Sequence, residues 1–136
     1  MSHRGENQLE HDQVIMASAL TYERWKEKGY LVSTNPDGHQ NHNIGNGIFP
    51  DLVVWKPDGE FGQTVIIEEV ETTDTINDRK AKEWKKLQRW HASFFLIVPR
   101  ECVILAREVV KRNKVDVDEI EAYWIEGDQV KFATRV

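Results

Sequence analysis

Apolar residues recur along the chain with two periods, which predict helices and strands. A spacing of three or four residues, which places side chains on one face of a helix, characterises three segments: residues 8–28, a segment from Thr75 or Asn77 to about Trp90, and residues 100–111. Alternating or continuous apolar runs, typical of strands, characterise six others: residues 30–34, 49–55, 64–71, 93–99, 121–125 and 129–134. Helices and strands in this order predict an α/β fold.

Residues that favour turns separate these segments. Gly29 follows the first helix, where a left-handed C-terminal cap is expected, and residues 56–59 form a turn that contains Pro and Gly. Residues 93–99 are a continuous apolar run, so we expect a central strand that is covered on both faces. Residues 35–47 are rich in Gly and Asn and have no apolar period. We expect them to form a loop that contacts the backbone of a substrate.

Length and composition fit one domain over residues 1–136, long enough to bury a core without disulfides. Cys102 is the single cysteine of the sequence, so an internal disulfide is impossible and a reducing compartment is indicated. No stretch approaches the roughly 20 apolar residues that a membrane-spanning helix needs. We therefore expect a cytoplasmic protein.

The net charge of −5 argues against binding to nucleic acid, but the charges are unevenly distributed. Between Asp78 and His91 there are six basic and two acidic residues, a local excess of four positive charges. One side of the predicted helix carries a basic stripe: Lys82, Lys85, Lys86 and Arg89. We expect this stripe to contact nucleic acid; an ordinary solvated helix face is the alternative.

Acidic residues are set into two neighbouring strands. Because side chains alternate along a strand, Glu69 and Glu71 share one face, and a neighbouring strand would bring Asp51 within about 5 Å sideways. Like charges at this spacing repel one another. A divalent cation such as Mg²⁺, which prefers oxygen ligands, would neutralise them and polarise a phosphodiester. A surface ladder of solvated acids on an α/β domain of unrelated function is the alternative.

The order Pro50-Asp51, then a hydrophobic strand, then Glu69-Val70-Glu71 resembles the motif of the PD-(D/E)XK nuclease superfamily, which includes restriction endonucleases and archaeal Holliday-junction resolvases. The resemblance implies a restriction endonuclease-like α-β-β-β-α-β core with a mixed central sheet, followed by a C-terminal helix and hairpin. Asp51 matches the Asp of the motif and Glu69 its second acid. Glu71 stands where the superfamily usually has Lys, a departure shared with some type II restriction enzymes.

The resemblance also implies ligands for Mg²⁺ or Mn²⁺: Asp51, Glu69, the carbonyl of Val70 and, from the first helix, Glu10. Glu6 and His11 on the same helix are the alternatives to Glu10 as a ligand. Glu6 and Glu10 also have a purely structural explanation, because acids in the first turn of a helix are stabilised by the helix dipole. Glu71 would orient or deprotonate the attacking water. Three side chains of the following helix would lie near the scissile phosphate and partly replace the absent motif lysine: Lys82, Lys85 and Gln88.

Two functions follow from this resemblance. The first is a Mg²⁺- or Mn²⁺-dependent endonuclease that hydrolyses phosphodiester bonds in DNA. The second is a catalytically inactive nuclease-like domain that binds nucleic acid or protein, which the acid at position 71 and the negative net charge favour. Members of the superfamily are often dimers, so the resemblance also implies a homodimer, although no predicted face identifies an interface.

Overall fold

The computed structural model describes residues 6–36, 39–45, 47–58, 62–88 and 90–133. Within these residues there are three α-helices: α1 (Glu6–Leu20), α2 (Asp78–Leu87) and α3 (Val103–Arg112). The same residues contain six strands: β1 (Leu31–Thr34), β2 (Leu52–Lys56), β3 (Gln63–Val70), β4 (Ser93–Pro99), β5 (Glu119–Glu126) and β6 (Gln129–Phe132). Two 3-10 segments complete the order: Glu23–Lys28 after α1 and Arg100–Cys102 before α3.

The six strands form one mixed sheet in the order β1-β2-β3-β4-β5-β6. The first three strands run antiparallel to one another, β4 is parallel to both β3 and β5, and β6 is antiparallel to β5. β4 therefore lies inside the sheet with a parallel neighbour on each side, as its continuous apolar sequence predicts. The α/β fold class predicted from the sequence is confirmed.

Helices cover both faces of the sheet. On one face, Val14 of α1 packs with Val70 of β3. On the other face, Trp84 of α2 and Ala106 of α3 belong to the core that contains Ile67 of β3. Since side chains alternate along a strand, the odd-numbered residues near the end of β3 face α2. The acids of β3 that the sequence analysis selected are thus directed to the α2 side.

α1 is shorter than the first predicted helix. The N–H and the hydroxyl of Thr21 both donate to the carbonyl of Ser18, at 3.0 and 2.6 Å, in place of regular helical bonding. Tyr22 then donates its hydroxyl to the buried carboxylate of Glu68, which turns the chain toward the sheet. The 3-10 segment that follows ends at Gly29, whose φ of 89° is the predicted left-handed cap.

β2 begins at Leu52, later than predicted. Pro50 has no N–H to donate to the ladder, and the N–H of Asp51 donates to the side chain of Glu69 instead of to a backbone carbonyl. The two residues before β2 therefore belong to the loop rather than to the strand. The predicted turn at residues 56–59 ends outside the described residues.

α2 begins after Asn77, one of the two predicted N-caps, whose side chain accepts the N–H of Lys80 at 2.8 Å. The helix ends at Leu87 instead of near Trp90. None of the described helices has the length and apolarity that a membrane crossing requires.

Candidate active site

Asp51 and Glu69 lie side by side where β2 begins and β3 ends. Leu52 is opposite Glu68 in the antiparallel register, so the next pair outward is Asp51 and Glu69. The N–H of Asp51 donates to Oε2 of Glu69 at 2.7 Å, and the N–H of Val70 donates to Oδ2 of Asp51 at 2.8 Å. One oxygen of each carboxylate is therefore held by a backbone N–H at, or next to, the other acid. The structure brings these two acids together as strand alternation predicts.

The two carboxylates line a cavity of about 260 Å³. α1 contributes His11 to its lining, and α2 contributes Lys80 and Glu83. The β1–β2 loop, described at residues 35–36, 39–45 and 47–51, contributes five further side chains: Asn35, Pro36, His39, Gln40 and Phe49. The polar loop that the sequence analysis associates with a substrate thus reaches the same cavity as the acids.

The carboxyl group of Glu69 resists ionisation. Desolvation raises its pKa well above the usual value, and the negative charges of Asp51 and Glu71 raise it further. The ammonium of Lys80 and the N–H of Asp51 lower the pKa without cancelling the rise. A cation placed among these oxygens would relieve the repulsion and favour the ionised form.

Glu71 is not part of the cavity lining and is fully buried. Its Oε2 accepts the indole N–H of Trp84 at 3.0 Å, whereas Oε1 has no hydrogen-bond partner among the described residues. The charge nearest to Oε1 in these contacts is Nζ of Lys80, at 3.9 Å. Burial raises the pKa of Glu71 to about 7, with a contribution from Asp51, although the Lys80 charge lowers it. This position favours support of Lys80 over the predicted contact with the attacking water.

Lys80 of α2 brings a positive charge to the cavity, and the sequence analysis did not select it. Its Nζ lies 3.0 Å from Oε2 of Glu83 and 3.9 Å from Oε1 of Glu71. Burial lowers the pKa of Lys80, but the attraction of Glu71, Glu69 and Glu83 raises it more, so the ammonium form is retained. Helical spacing could have identified Lys80 from the sequence. Lys80 lies one turn before the buried Trp84 and therefore on the sheet side of the helix.

The side chains that were predicted to assist from α2 lie elsewhere. Lys82 is exposed and about 200° around the helix axis from Lys80. Gln88 accepts the N–H of Asp116 through Oε1 at 2.7 Å, on the side of the chain where α3 ends. Three of the selected residues therefore do not contribute to the cavity lining: Lys82, Lys85 and Gln88. Lys86 is exposed, and Arg89 lies outside the described residues.

Among the described side chains of α1, His11 reaches the acids. Its ring is buried, with Nε2 3.2 Å from Oδ2 of Asp51 and Nδ1 3.1 Å from Oδ1 of Asp12. A ring that carries hydrogen on both nitrogens would satisfy both contacts. Because Val70 also donates to Oδ2 of Asp51, this oxygen is held from two sides. Oδ1 of Asp51 makes no hydrogen bond within the described part of the chain.

Glu10, the predicted ligand from the first helix, does not line the cavity. Its Oε2 accepts the hydroxyl of Tyr123 at 2.5 Å, and the same hydroxyl lies 3.2 Å from the backbone carbonyl of Glu71. Glu10 therefore supports the end of β3 from the α1 side of the sheet. The side chain of Glu6, the alternative from the same helix, lies outside the described residues.

The residues around Asp51 and Glu69 fit a hard divalent cation. Oδ1 of Asp51 and Oε1 of Glu69 are not used in hydrogen bonds among the described residues, and the backbone of Val70 lies beside them. Mg²⁺ is commonly held by one or two carboxylates while its other positions are filled by waters and substrate oxygens. Among the described residues no group of three or more His, Cys, Asp or Glu side chains is arranged to hold a metal. The protein would therefore supply two carboxylates and a backbone carbonyl as ligands of the cation.

Comparisons of this chain with protein-family models, with curated proteins and with solved structures found no match. A function is therefore inferred from the geometry and charges of the cavity.

Proposed function

We propose that this protein is a divalent-metal-dependent nuclease that hydrolyses phosphodiester bonds in DNA, and that it is related to the PD-(D/E)XK superfamily that its motif resembles. One observation carries the proposal. Asp51, immediately before β2, and Glu69 of the adjacent strand β3 are tied together by a hydrogen bond at the wall of a cavity that Lys80 of the following helix also lines. Metal-dependent hydrolysis of a phosphodiester requires carboxylates that bind the cation and a cationic group, such as lysine, that stabilises negative charge on the phosphate. A cytoplasmic location is part of the proposal.

In this proposal Asp51 and Glu69, with the carbonyl of Val70, hold Mg²⁺ or Mn²⁺. The bound ion would supply Lewis acidity and lower the pKa of a bound water. Oδ1 of Asp51 and Oε1 of Glu69 are the oxygens that remain for it. His11 fixes Asp51 by contacting its other oxygen. The chain therefore provides two pre-oriented oxygen ligands without a change in its hydrogen bonds.

Lys80 would take the role of the absent motif lysine. Its ammonium lines the cavity and would stabilise negative charge that develops on the phosphate. Glu71, which occupies the usual lysine position, lies behind Lys80 and holds it in place together with Glu83. The lysine would then come from the helix α2 instead of from position 71, where the superfamily usually has it. One positive charge at the cavity would be preserved. Exposed lysines on the outer side of α2, Lys82 and Lys86, would contact backbone phosphates farther along the DNA.

The test is DNA cleavage by the purified protein with Mg²⁺ or Mn²⁺, using linear, nicked and branched substrates. We expect hydrolysis that is abolished by EDTA and by Asp51→Ala. Asp58→Ala is the matched control, because Asp58 is exposed beyond the opposite end of β2. Cleavage that survives Asp51→Ala, or is lost equally in both variants, would contradict the assignment.

The second candidate is a domain that binds nucleic acid or protein without hydrolysing DNA. The charge of the cavity favours this candidate because it disfavours a phosphodiester there. The acids and lysines of its lining comprise three carboxylates, from Asp51, Glu69 and Glu83, and one ammonium, from Lys80. Without a cation, this excess of negative charge would repel a phosphate. Thermal unfolding with and without Mn²⁺ separates the candidates. A nuclease would be stabilised by the ion, whereas a binding domain without a metal site would not.

A further inference from the structure

Asn35 is buried in the wall of the cavity, and every group of its side-chain amide makes a hydrogen bond. The side chain is 5% exposed. Nδ2 donates to the carbonyls of Pro50 and His42, at 2.7 and 2.9 Å, and Oδ1 accepts the N–H of His42 at 2.6 Å. An asparagine has two amide hydrogens and one carbonyl oxygen, and here each has a backbone partner. Asn35 therefore joins two distant parts of the β1–β2 loop.

The bond to Pro50 acts on both acids through one rigid unit. The carbonyl of Pro50 and the N–H of Asp51 belong to the same planar peptide. Asn35 holds the carbonyl end of this plane, and Glu69 accepts from its N–H end at 2.7 Å. The backbone N–H of Asn35 also donates to the carbonyl of Asp51 at 2.9 Å. The peptide groups on both sides of Asp51 are therefore tied to Asn35.

The bonds to His42 extend the same constraint to the cavity wall. His42 follows His39 and Gln40, which line the cavity, and its ring lies against Trp55 with a centroid distance of 4.8 Å. A loop of this length is a source of conformational freedom unless it is anchored. Asn35 anchors it to the same point that holds Asp51.

We propose that Asn35 is a positioning residue that sets the orientation of Asp51 and Glu69 and fixes the loop that lines the cavity with them. The part concerning metal affinity rests on the proposed function. Removing the Asn35 amide frees the Pro50–Asp51 peptide to rotate, which separates the two carboxylate oxygens and loosens the loop. Residues that orient metal ligands in this indirect way change metal affinity by about 10- to 100-fold when they are mutated.

Two variants of Asn35 and one control test this role. Asn35→Asp keeps the shape and the acceptor oxygen but removes both donors, and Asn35→Ala removes the side chain without adding a charge. The control is Asn41→Ala, because Asn41 lies in the same loop but donates to the carbonyl of Thr34 from an exposed position. Mn²⁺ affinity is measured by titration calorimetry. Amide hydrogen exchange of Val70, whose N–H donates to Asp51, is measured by NMR without metal.

We expect both Asn35 variants to bind Mn²⁺ about 10- to 100-fold more weakly and to exchange the Val70 amide at least tenfold faster. Asn41→Ala should leave both quantities within twofold of wild type. Unchanged Val70 exchange in a folded Asn35 variant overturns the positioning role, as does unchanged Mn²⁺ affinity. If the wild type binds no Mn²⁺, the proposed function fails, and faster Val70 exchange still establishes that Asn35 positions Asp51. If Asn35→Asp does not fold, Asn35→Ala decides the outcome by the same two measurements.

Discussion

Replacing Glu71 with Gln tests whether burial or ion pairing controls the charge of this side chain. The carboxylate is fully buried, and its Oε1 lies 3.9 Å from Nζ of Lys80. Pairing with Lys80 favours the charged form, whereas removal from water disfavours it. Burial prevails, since a rise of the pKa from 4.5 to about 7 corresponds to about 3 kcal/mol, at roughly 1.36 kcal/mol for each pH unit.

The direction of the pH effect follows from the two pKa values. Because the pKa of Glu71 is higher in the folded than in the unfolded chain, the folded protein binds more protons between pH 4.5 and 7. The stability associated with the protonated form is fully present below pH 4.5 and is lost as the pH rises through 7. Glu71→Gln is neutral at every pH and avoids that loss. We expect its free energy of unfolding, relative to wild type, to increase by up to about 3 kcal/mol between pH 4.5 and 8.

The assay is urea denaturation of both proteins in EDTA at several pH values across this range. Glu83→Gln is the control, because Glu83 contacts the same lysine but its side chain is 60% exposed. Its effect should stay within about 1 kcal/mol and should not grow with pH. If Glu71→Gln instead becomes less stable relative to wild type as the pH rises, the ion pair outweighs burial and the reasoning is wrong. A difference that does not change with pH would refute it equally.

Two further substitutions test the cavity and its loop. Lys80→Met should reduce cleavage by about 10²- to 10³-fold because it removes the charge that would face a bound phosphate, whereas Lys111→Met, at an exposed residue of α3 outside the cavity lining, should leave the rate unchanged; equal losses in a cleavage assay would contradict the placement of Lys80. Gly45→Ala should lower the free energy of unfolding by about 1–3 kcal/mol, since φ is +135° and the added β-carbon would lie 2.6 Å from the ring of Trp90. Gly47→Ala, at φ +69° with no described atom beyond its chain neighbours within 4 Å of the added β-carbon, should cost only about 1 kcal/mol, and denaturation curves that rank the two in the opposite order would contradict this account.

Local patterns predicted the parts of the site that lie on strands. Alternation along β3 placed Glu69 on the face opposite Val70, and the antiparallel neighbour brought Asp51 beside it. The continuous apolar run of β4 indicated its central position, and Asn77 was recognisable as a cap. These features depend on residues close in sequence, where the backbone period controls which way a side chain points.

Contacts between distant elements explain what the sequence could not indicate. The choice between Glu10 and His11 depends on the rotation of α1, since adjacent residues differ by about 100° around a helix. That rotation is set by the packing of Val14 and Ile15 on the sheet. The role of Asn35 depends on a bond to Pro50 across the loop, which no periodic pattern encodes. Lys80 was not predicted because it lies in a run of basic residues. It differs from them in its position beside the buried Trp84, on the sheet side of α2.

The central claim is that Asp51 and Glu69 jointly bind a divalent cation beside Lys80. The most direct measurement is an anomalous difference map from crystals of the protein soaked in Mn²⁺. The account predicts a peak in contact with carboxylate oxygens of both Asp51 and Glu69, absent from crystals of Asp51→Asn treated in the same way. A well-ordered cavity without a peak at millimolar Mn²⁺, or a peak that persists in Asp51→Asn, would contradict it.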